Sequence, residues 1–144
     1  MRVSGILASK GSAVATIAPE ASVADAAEQL RRHGIGALVV SDDGRSIDGI
    51  ISERDIVLRL AEAGGDVLGQ PVSAVMTAEV QTCTMDDTCD ELMRVMTEQR
   101  TRHLPVVSDG GLAGIISIGD VVKRRVTELE DETRHLHDYI VTGR

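Results

Sequence analysis

The sequence predicts an α+β chain of two pseudo-symmetric β-α-β-β-α units packed sheet to sheet, followed by a long C-terminal helix. Three observations predict it. The stretch Gly49-Ile50-Ile51-Ser52-Glu53-Arg54-Asp55 returns as Gly114-Ile115-Ile116-Ser117-Ile118-Gly119-Asp120, displaced by 65 residues. An apolar stripe at i, i+3, i+4 and i+7 occurs twice, as Val23, Ala26, Ala27 and Leu30 and as Cys89, Leu92, Met93 and Met96. Finally, a unit of roughly 60 residues with a small sheet and two helices leaves one sheet face uncovered, and two such units can cover each other.

Taken in order, residues 1–13 read as an N-terminal lead with one short helical stretch closed by Lys10-Gly11-Ser12. The first unit, residues 14–70, opens with the alternating Val14-Ala15-Thr16-Ile17, a short strand, and the turn Ala18-Pro19-Glu20-Ala21. Ser22 caps a helix that His33-Gly34 ends. Ala37 to Val40 is a continuous apolar run suited to a buried strand, Asp42-Asp43-Gly44 a turn, and Ile47 to Ile51 a second strand. A helix over residues 53–63 stops at Gly64-Gly65.

The second unit, residues 77–134, repeats this order with Val80 to Cys83 as strand and Thr88 as cap. Leu104-Pro105-Val106-Val107 is its central run and Ser108-Asp109-Gly110-Gly111 its turn. A long helix over residues 121–141 extends from it. Val122, Val126, Leu129, Thr133, Leu136 and Ile140 step by 4, 3, 4, 3, 4, a heptad-like seam that either covers the protein's own body or packs on a second chain.

Composition narrows the functions. With 42% apolar and 26% charged residues the chain is an ordinary globular one. It has no Trp or Phe and one Tyr, so aliphatic side chains fill the core and a bound base has no aromatic platform. A formal net charge of −8 argues against duplex nucleic acid and anionic membrane surfaces, which need a basic footprint. The start of the sequence lacks a secretory h-region, and cytoplasm is the expected compartment. Cys83 and Cys89 read as buried free thiols, His33 as a solvated helix-end residue, and His135 and His137 lie on different helix faces, so no metal set is expected.

Ser52 with Asp55 and Ser117 with Asp120 have the form of helix N-caps, with the acid at N3 reaching back to the cap. The same geometry prepares an anion site, because spare N–H groups and the helix dipole can hold a phosphate beside a carboxylate.

Four segments in order within the repeat carry a resemblance to a known family. They are Gly-Ala-Leu-Val-Val (36–40), Gly-Ile-Ile-Ser-Glu-Arg-Asp (49–55), Arg-His-Leu-Pro-Val-Val (102–107) and Gly-Ile-Ile-Ser-Ile-Gly-Asp (114–120). Together they resemble the tandem cystathionine-β-synthase (CBS) domain pair, or Bateman module, over residues 14–134, in the form of a small stand-alone protein.

The resemblance implies a non-enzymatic regulatory module that binds adenine nucleotides or adenosyl ligands in two clefts, commonly as a flat homodimer. AMP, ADP, ATP, NAD and S-adenosylmethionine all remain open. It implies that Asp55 and Asp120 hold ribose hydroxyls and that Ser52 and Ser117 meet ribose or phosphate. Ile35, Gly36 and Ala37 would contact a base opposite Asp120, and Thr101, Arg102 and His103 one opposite Asp55. A carboxylate suits both hydroxyls of a vicinal diol, and Arg54, Arg102 and His103 are positive groups placed for phosphates.

The two clefts differ: Gly119 stands where the first unit has Arg54, which removes a cation, and Thr84 stands where it has Ala18. Met85 replaces the family's usual Pro. Lys10, in the lead, is a further candidate for a phosphate.

Two other functions compete. A purely structural dimerisation or partner-binding module would use Ser/Asp only as caps, so that Asp120→Asn costs roughly 1 kcal/mol and no nucleotide binds. An enzyme could pair Asp55 or Asp120 with His103 as acid and base, but no nucleophile motif, phosphate loop or Gly-x-Gly-x-x-Gly accompanies them.

Overall fold

The computed structural model describes residues 1–142. Its elements run α1 (Val3–Lys10), β1 (Thr16–Ile17), α2 (Val23–His33), β2 (Ala37–Val40), β3 (Gly49–Ser52) and α3 (Glu53–Ala63). They continue with β4 (Cys83–Thr84), α4 (Cys89–Glu98), β5 (His103–Ser108), β6 (Gly111–Ser117) and α5 (Ile118–Thr142).

One device starts four of the helices. Ser22 and Thr88 sit in extended backbone and accept the N–H groups of Asp25 (3.0 Å) and Glu91 (3.2 Å) ahead of α2 and α4. Ser52 and Ser117 accept those of Asp55 and Asp120, both at 3.2 Å, ahead of α3 and α5. Each cap satisfies a helix-end N–H that the helix itself cannot. Gly34 ends α2 at φ +63°, a left-handed position where a Cβ would be strained.

Two three-stranded sheets follow, ordered β1-β2-β3 and β4-β5-β6. The central strand runs parallel to the first and antiparallel to the third: Val39 stands opposite Thr16 and Ile50, and Val106 opposite Cys83 and Gly114. The β5–β6 hairpin turns on Asp109 (φ +53°) and Gly110 (φ +75°), the positive pair a two-residue turn of this hand requires.

Alternation along the strands builds two separate cores. Leu38, Val40 and Ile51 point to one side with Val23, Leu30 and Ile56, whereas Leu104, Val106 and Ile116 point to Leu92, Met96 and α1. Ala37 and Val39 point the other way. Val39 is fully buried yet belongs to neither core, and Ala37 shares a cavity with Ile115 and His103, so the two sheets face one another. At the far end of this interface the Arg45 carbonyl accepts the Leu112 N–H (2.8 Å), and the Arg45 guanidinium donates to the Asp109 carbonyl (3.2 Å).

Several boundaries differ from the sequence reading. The opening strands shrink to Thr16–Ile17 and Cys83–Thr84, and the second strand of the first unit begins at Gly49 rather than Ile47. The reason is local: residues 13–15 line a cavity instead of a ladder, although the Ala15 carbonyl still accepts the Val39 N–H. Ala27 and Met93, third in their stripes, lie at the margin, and Met93 is 39% exposed.

The N-terminal lead is part of the second unit. Val3, Ile6 and Leu7 enter its core, and the N–H groups of Val3 and Ser4 donate to the Asp87 and Met85 carbonyls at 2.9 and 3.1 Å. Leu7 lies over Gly114, where an added Cβ would come within 2.8 Å of Leu7 Cδ1.

The corresponding place on the first unit is taken by the inter-unit segment. After short 3-10 turns at Gly64–Gly69 and Val72–Ala74, Met76 covers Gly49, and Thr77 exchanges hydrogen bonds with Ile50 at 2.9 and 3.0 Å. Cys83 and Cys89 are buried free thiols, and burial, with Asp87 second, pushes the Cys83 thiol up to about 12.

Among the described residues no helix is long and apolar enough to cross a membrane. Of α5 only Val121 is buried, while the seam from Val122 to Ile140 faces away from the body.

Candidate functional site

The β5–β6 register sets His103 opposite Ser117, at the end of the second sheet where α5 begins. Ser117 N–H donates to Asp120 Oδ2 (2.9 Å) while its hydroxyl accepts the Asp120 N–H, which fixes the carboxylate at the mouth of α5. Across the interface, the connection from α2 to β2 brings Ile35 and Gly36, and β2 opens with Ala37. Between these walls lies a cavity of about 710 Å³, within the range for small-molecule sites.

Lys10 closes one side. Its Nζ donates to Asp120 Oδ2 (2.6 Å) and to the Ile115 carbonyl (2.9 Å), reaching a residue 110 positions away in the chain. Burial alone would raise the Asp120 carboxyl, but the Lys10 ammonium and the Ser117 N–H outweigh it and hold the group below its ordinary value. No hydrogen bond to Asp120 Oδ1 is present among the described residues, so its lone pairs remain available to a donor.

His103 enters the same cavity. Because Leu104 points into the second core, His103 points to the inter-unit face, where its ring stands 3.2 Å from the place a Cβ on Gly36 would take. A Cβ there would crowd both this ring and Glu53 Oε1, which would lie 2.9 Å away. Burial, assisted by Lys10 and Arg102 and opposed by Glu53 and Asp120, lowers the His103 pKa, so the ring is neutral near pH 7.

The first-unit set is arranged differently. Asp55 Oδ2 accepts from Ser52 N–H (2.9 Å) and Ser52 Oγ–H (3.1 Å), and Asp55 Oδ1 accepts from the Thr77 hydroxyl at 3.5 Å. Both oxygens are thus engaged by the protein. Arg54 is exposed on the first turn of α3. Thr101 donates its hydroxyl to the His103 carbonyl (3.2 Å), and the exposed Arg102 accepts the Ile118 N–H at its carbonyl (2.8 Å), as Gly36 accepts that of Glu53 (3.0 Å).

Of the residues singled out in the sequence, Lys10, Ile35, Gly36, Ala37, His103, Ser117 and Asp120 converge on one cavity. Gly119 is exposed on the first turn of α5 and has open space around it apart from Ser117 Oγ. Thr84 pairs with Val107, at the opposite end of β5 from His103, and is not brought to this cavity. The β5–β6 register sets His103 opposite Ser117 just as the β2–β3 register sets Ala37 opposite Ser52, so the two residues are counterparts in the repeat.

Sequence reasoning missed Gln29, His33, Gly34, Ile115 and residues 13–16, which also line the cavity. Ile115 carried a signal, since it repeats Ile50. His33 carried none beyond its place at a helix end. A smaller groove of about 470 Å³ lies between α2 and α3 on the outer side of Ile35 and Gly36. Among the described residues no group of three or more His, Cys, Asp or Glu is placed to hold a metal ion.

The CBS domain family model matches residues 8–62 and again 72–127. A mitochondrial CBS domain-containing protein of Arabidopsis thaliana, CBSX3, is 37% identical over 126 residues, covering 85% of this chain. The match takes in 61% of the plant protein, so this chain spans less than two thirds of that relative.

Among solved structures, a CBS-domain containing protein of Agrobacterium tumefaciens is 47% identical with a TM-score of 0.85, covering 87% of this chain and 99% of that one. A CBS domain protein of Pyrobaculum aerophilum complexed with AMP is 25% identical with a TM-score of 0.78, covering 92% and 99%. A CBS domain pair complexed with 5-methylthioadenosine and S-adenosyl-L-methionine is 26% identical with a TM-score of 0.78, covering 89% and 98%. With two matched repeats, two three-stranded sheets in tandem and these relatives, the chain belongs to the CBS domain family, as a CBS-domain pair.

Proposed function

We propose that this protein is a non-catalytic sensor that binds an adenine nucleotide or adenosyl ligand in the Asp120 cavity and signals by changing the angle between its two units. One observation carries the reading: the capped Asp120 and Ser117 of one unit face the Ile35–Gly36–Ala37 backbone of the other across about 710 Å³. Asp120 Oδ1 accepts one ribose hydroxyl, and Oδ2 accepts the second once Lys10 yields. The base lies against Ile35 and Ala37 and is read by backbone groups. Structural neighbours that hold AMP, 5-methylthioadenosine or S-adenosyl-L-methionine share the adenosyl part and support that class of ligand.

A ligand held by both walls favours one inter-unit angle. It shifts the equilibrium only by its difference in affinity for two states, typically about 1–3 kcal/mol. In this reading a cytoplasmic homodimer presents that angle to a downstream protein. The Asp55 crevice is secondary, since Thr77 and Ser52 already occupy its carboxylate.

Thermal unfolding with AMP, ADP, ATP, NAD and S-adenosylmethionine tests the proposal. A true ligand at 100 times its Kd adds about 2.7 kcal/mol of stability. Asp120→Asn keeps an acceptor for the Ser117 N–H, so it changes unliganded stability by about 1 kcal/mol or less while abolishing the ligand shift; Asp55→Asn retains the shift. Indifference of the wild-type protein to all five compounds leaves the Ser/Asp pairs as caps alone and refutes the proposal.

A further inference from the structure

The α5 seam bears on assembly, independently of what the cavity holds. Val122, Val126, Leu129, Leu136 and Ile140 are 51, 47, 46, 64 and 74% exposed, so the protein's own body does not cover them. The body instead meets the adjacent face through buried Val121 and half-buried Arg124 and Glu128, and every described residue from Leu129 onward is exposed. The seam runs about 27 Å along the helix.

Its residue types select a partner. Counting heptads, Val126, Thr133 and Ile140 fall at a, and Val122, Leu129 and Leu136 at d. β-Branched residues at a with Leu at d favour parallel, two-stranded pairing. Thr133 fits an a position because its hydroxyl already donates to the Leu129 carbonyl (2.9 Å), leaving its methyl group for the seam.

The flanking charges agree. In a parallel, in-register pair each g residue meets the partner's e residue five positions on. Arg125 then faces the partner's Glu130, and Glu132 faces the partner's His137, an acid against a base in both layers. Antiparallel pairing about the middle of the seam would set Glu130 and Glu132 against their own copies.

We infer that α5 is a homodimerisation helix: two copies of this chain zip their seams into a short parallel, in-register coiled coil beyond the CBS units.

Light scattering of the full chain at tens of micromolar tests this with two variants. Leu129→Asp combined with Leu136→Asp halves the molar mass, dimer to monomer or tetramer to dimer, with the circular dichroism spectrum of the folded units retained. Leu136→Cys, oxidised, gives a covalent dimer through the introduced thiol of each chain, because d positions meet only in the parallel register, and buried Cys83 and Cys89 take no part. An unchanged mass in the double variant, or no covalent dimer from Leu136→Cys, overturns the inference. So does cross-linking of a Val122→Cys chain to an Ile140→Cys chain, which reports an antiparallel pair.

Discussion

Lys10 grips Asp120 Oδ2 and the Ile115 carbonyl together, so a ribose diol approaching Asp120 meets a carboxylate that is already half neutralised. An uncharged nucleoside displaces this ammonium and offers it nothing; a phosphate takes it over. Lys10→Met should therefore weaken AMP about 10-fold, or about 1.4 kcal/mol, while leaving adenosine unchanged or tighter in calorimetric titration. Equal loss for both would put Lys10 outside the phosphate site. His103 sits in the same cavity with its pKa lowered by burial and by Lys10 and Arg102, against Glu53 and Asp120. In the unfolded chain the ring protonates near its ordinary value of 6.5, before it does in the folded one. Its contribution to stability is thus complete above that pH and is lost as the pH falls toward the folded pKa. Urea unfolding from pH 7.5 to 5 should show wild type losing stability relative to His103→Gln; parallel curves would mean the ring is not buried from solvent.

At the scale of elements, α1 is held on the second unit by a knob fitted to a missing side chain. Leu7 lies where a Cβ on Gly114 would sit 2.8 Å from Cδ1, and Lys10 leaves the helix one turn later to reach Asp120. Gly114→Ala should cost about 1–3 kcal/mol by overpacking, expose residues 1–11 to protease and weaken ligand binding. Leu7→Ala added to Gly114→Ala should return part of that stability, and a purely additive pair would show that the two residues do not touch. The elements themselves were largely legible. Ser22, Ser52, Thr88 and Ser117 announce helix starts because capping is a local arrangement within four consecutive residues, and Gly34, Gly64 and Asp109-Gly110 announce ends and turns because positive φ restricts residue type. The short opening strands were overread, since Val14-Ala15 looks like a strand by period but lines a cavity instead of a ladder.

For the whole molecule, the repeat foretold two units but not which of them the N-terminal lead would join. No periodicity links Leu7 to Gly114 or Lys10 to Asp120; such contacts are settled by packing across the chain. The same limit explains His103, whose place beside Ser117 depends on β5–β6 register, and Thr77, which engages Asp55 from the segment between the units. Thus the shared half of each crevice was readable and the asymmetric half was not.

That crossing of the lead to the second unit sets an order for synthesis. As the chain leaves the ribosome, α1 emerges before the first unit and has no surface to rest on until β4, α4 and β6 have followed it. The first unit can close its own core in the meantime, because the residues that fill it all lie between Ala15 and Met76. A segment made before the first unit thus waits for the second one to settle, and only its docking there carries Lys10 to Asp120.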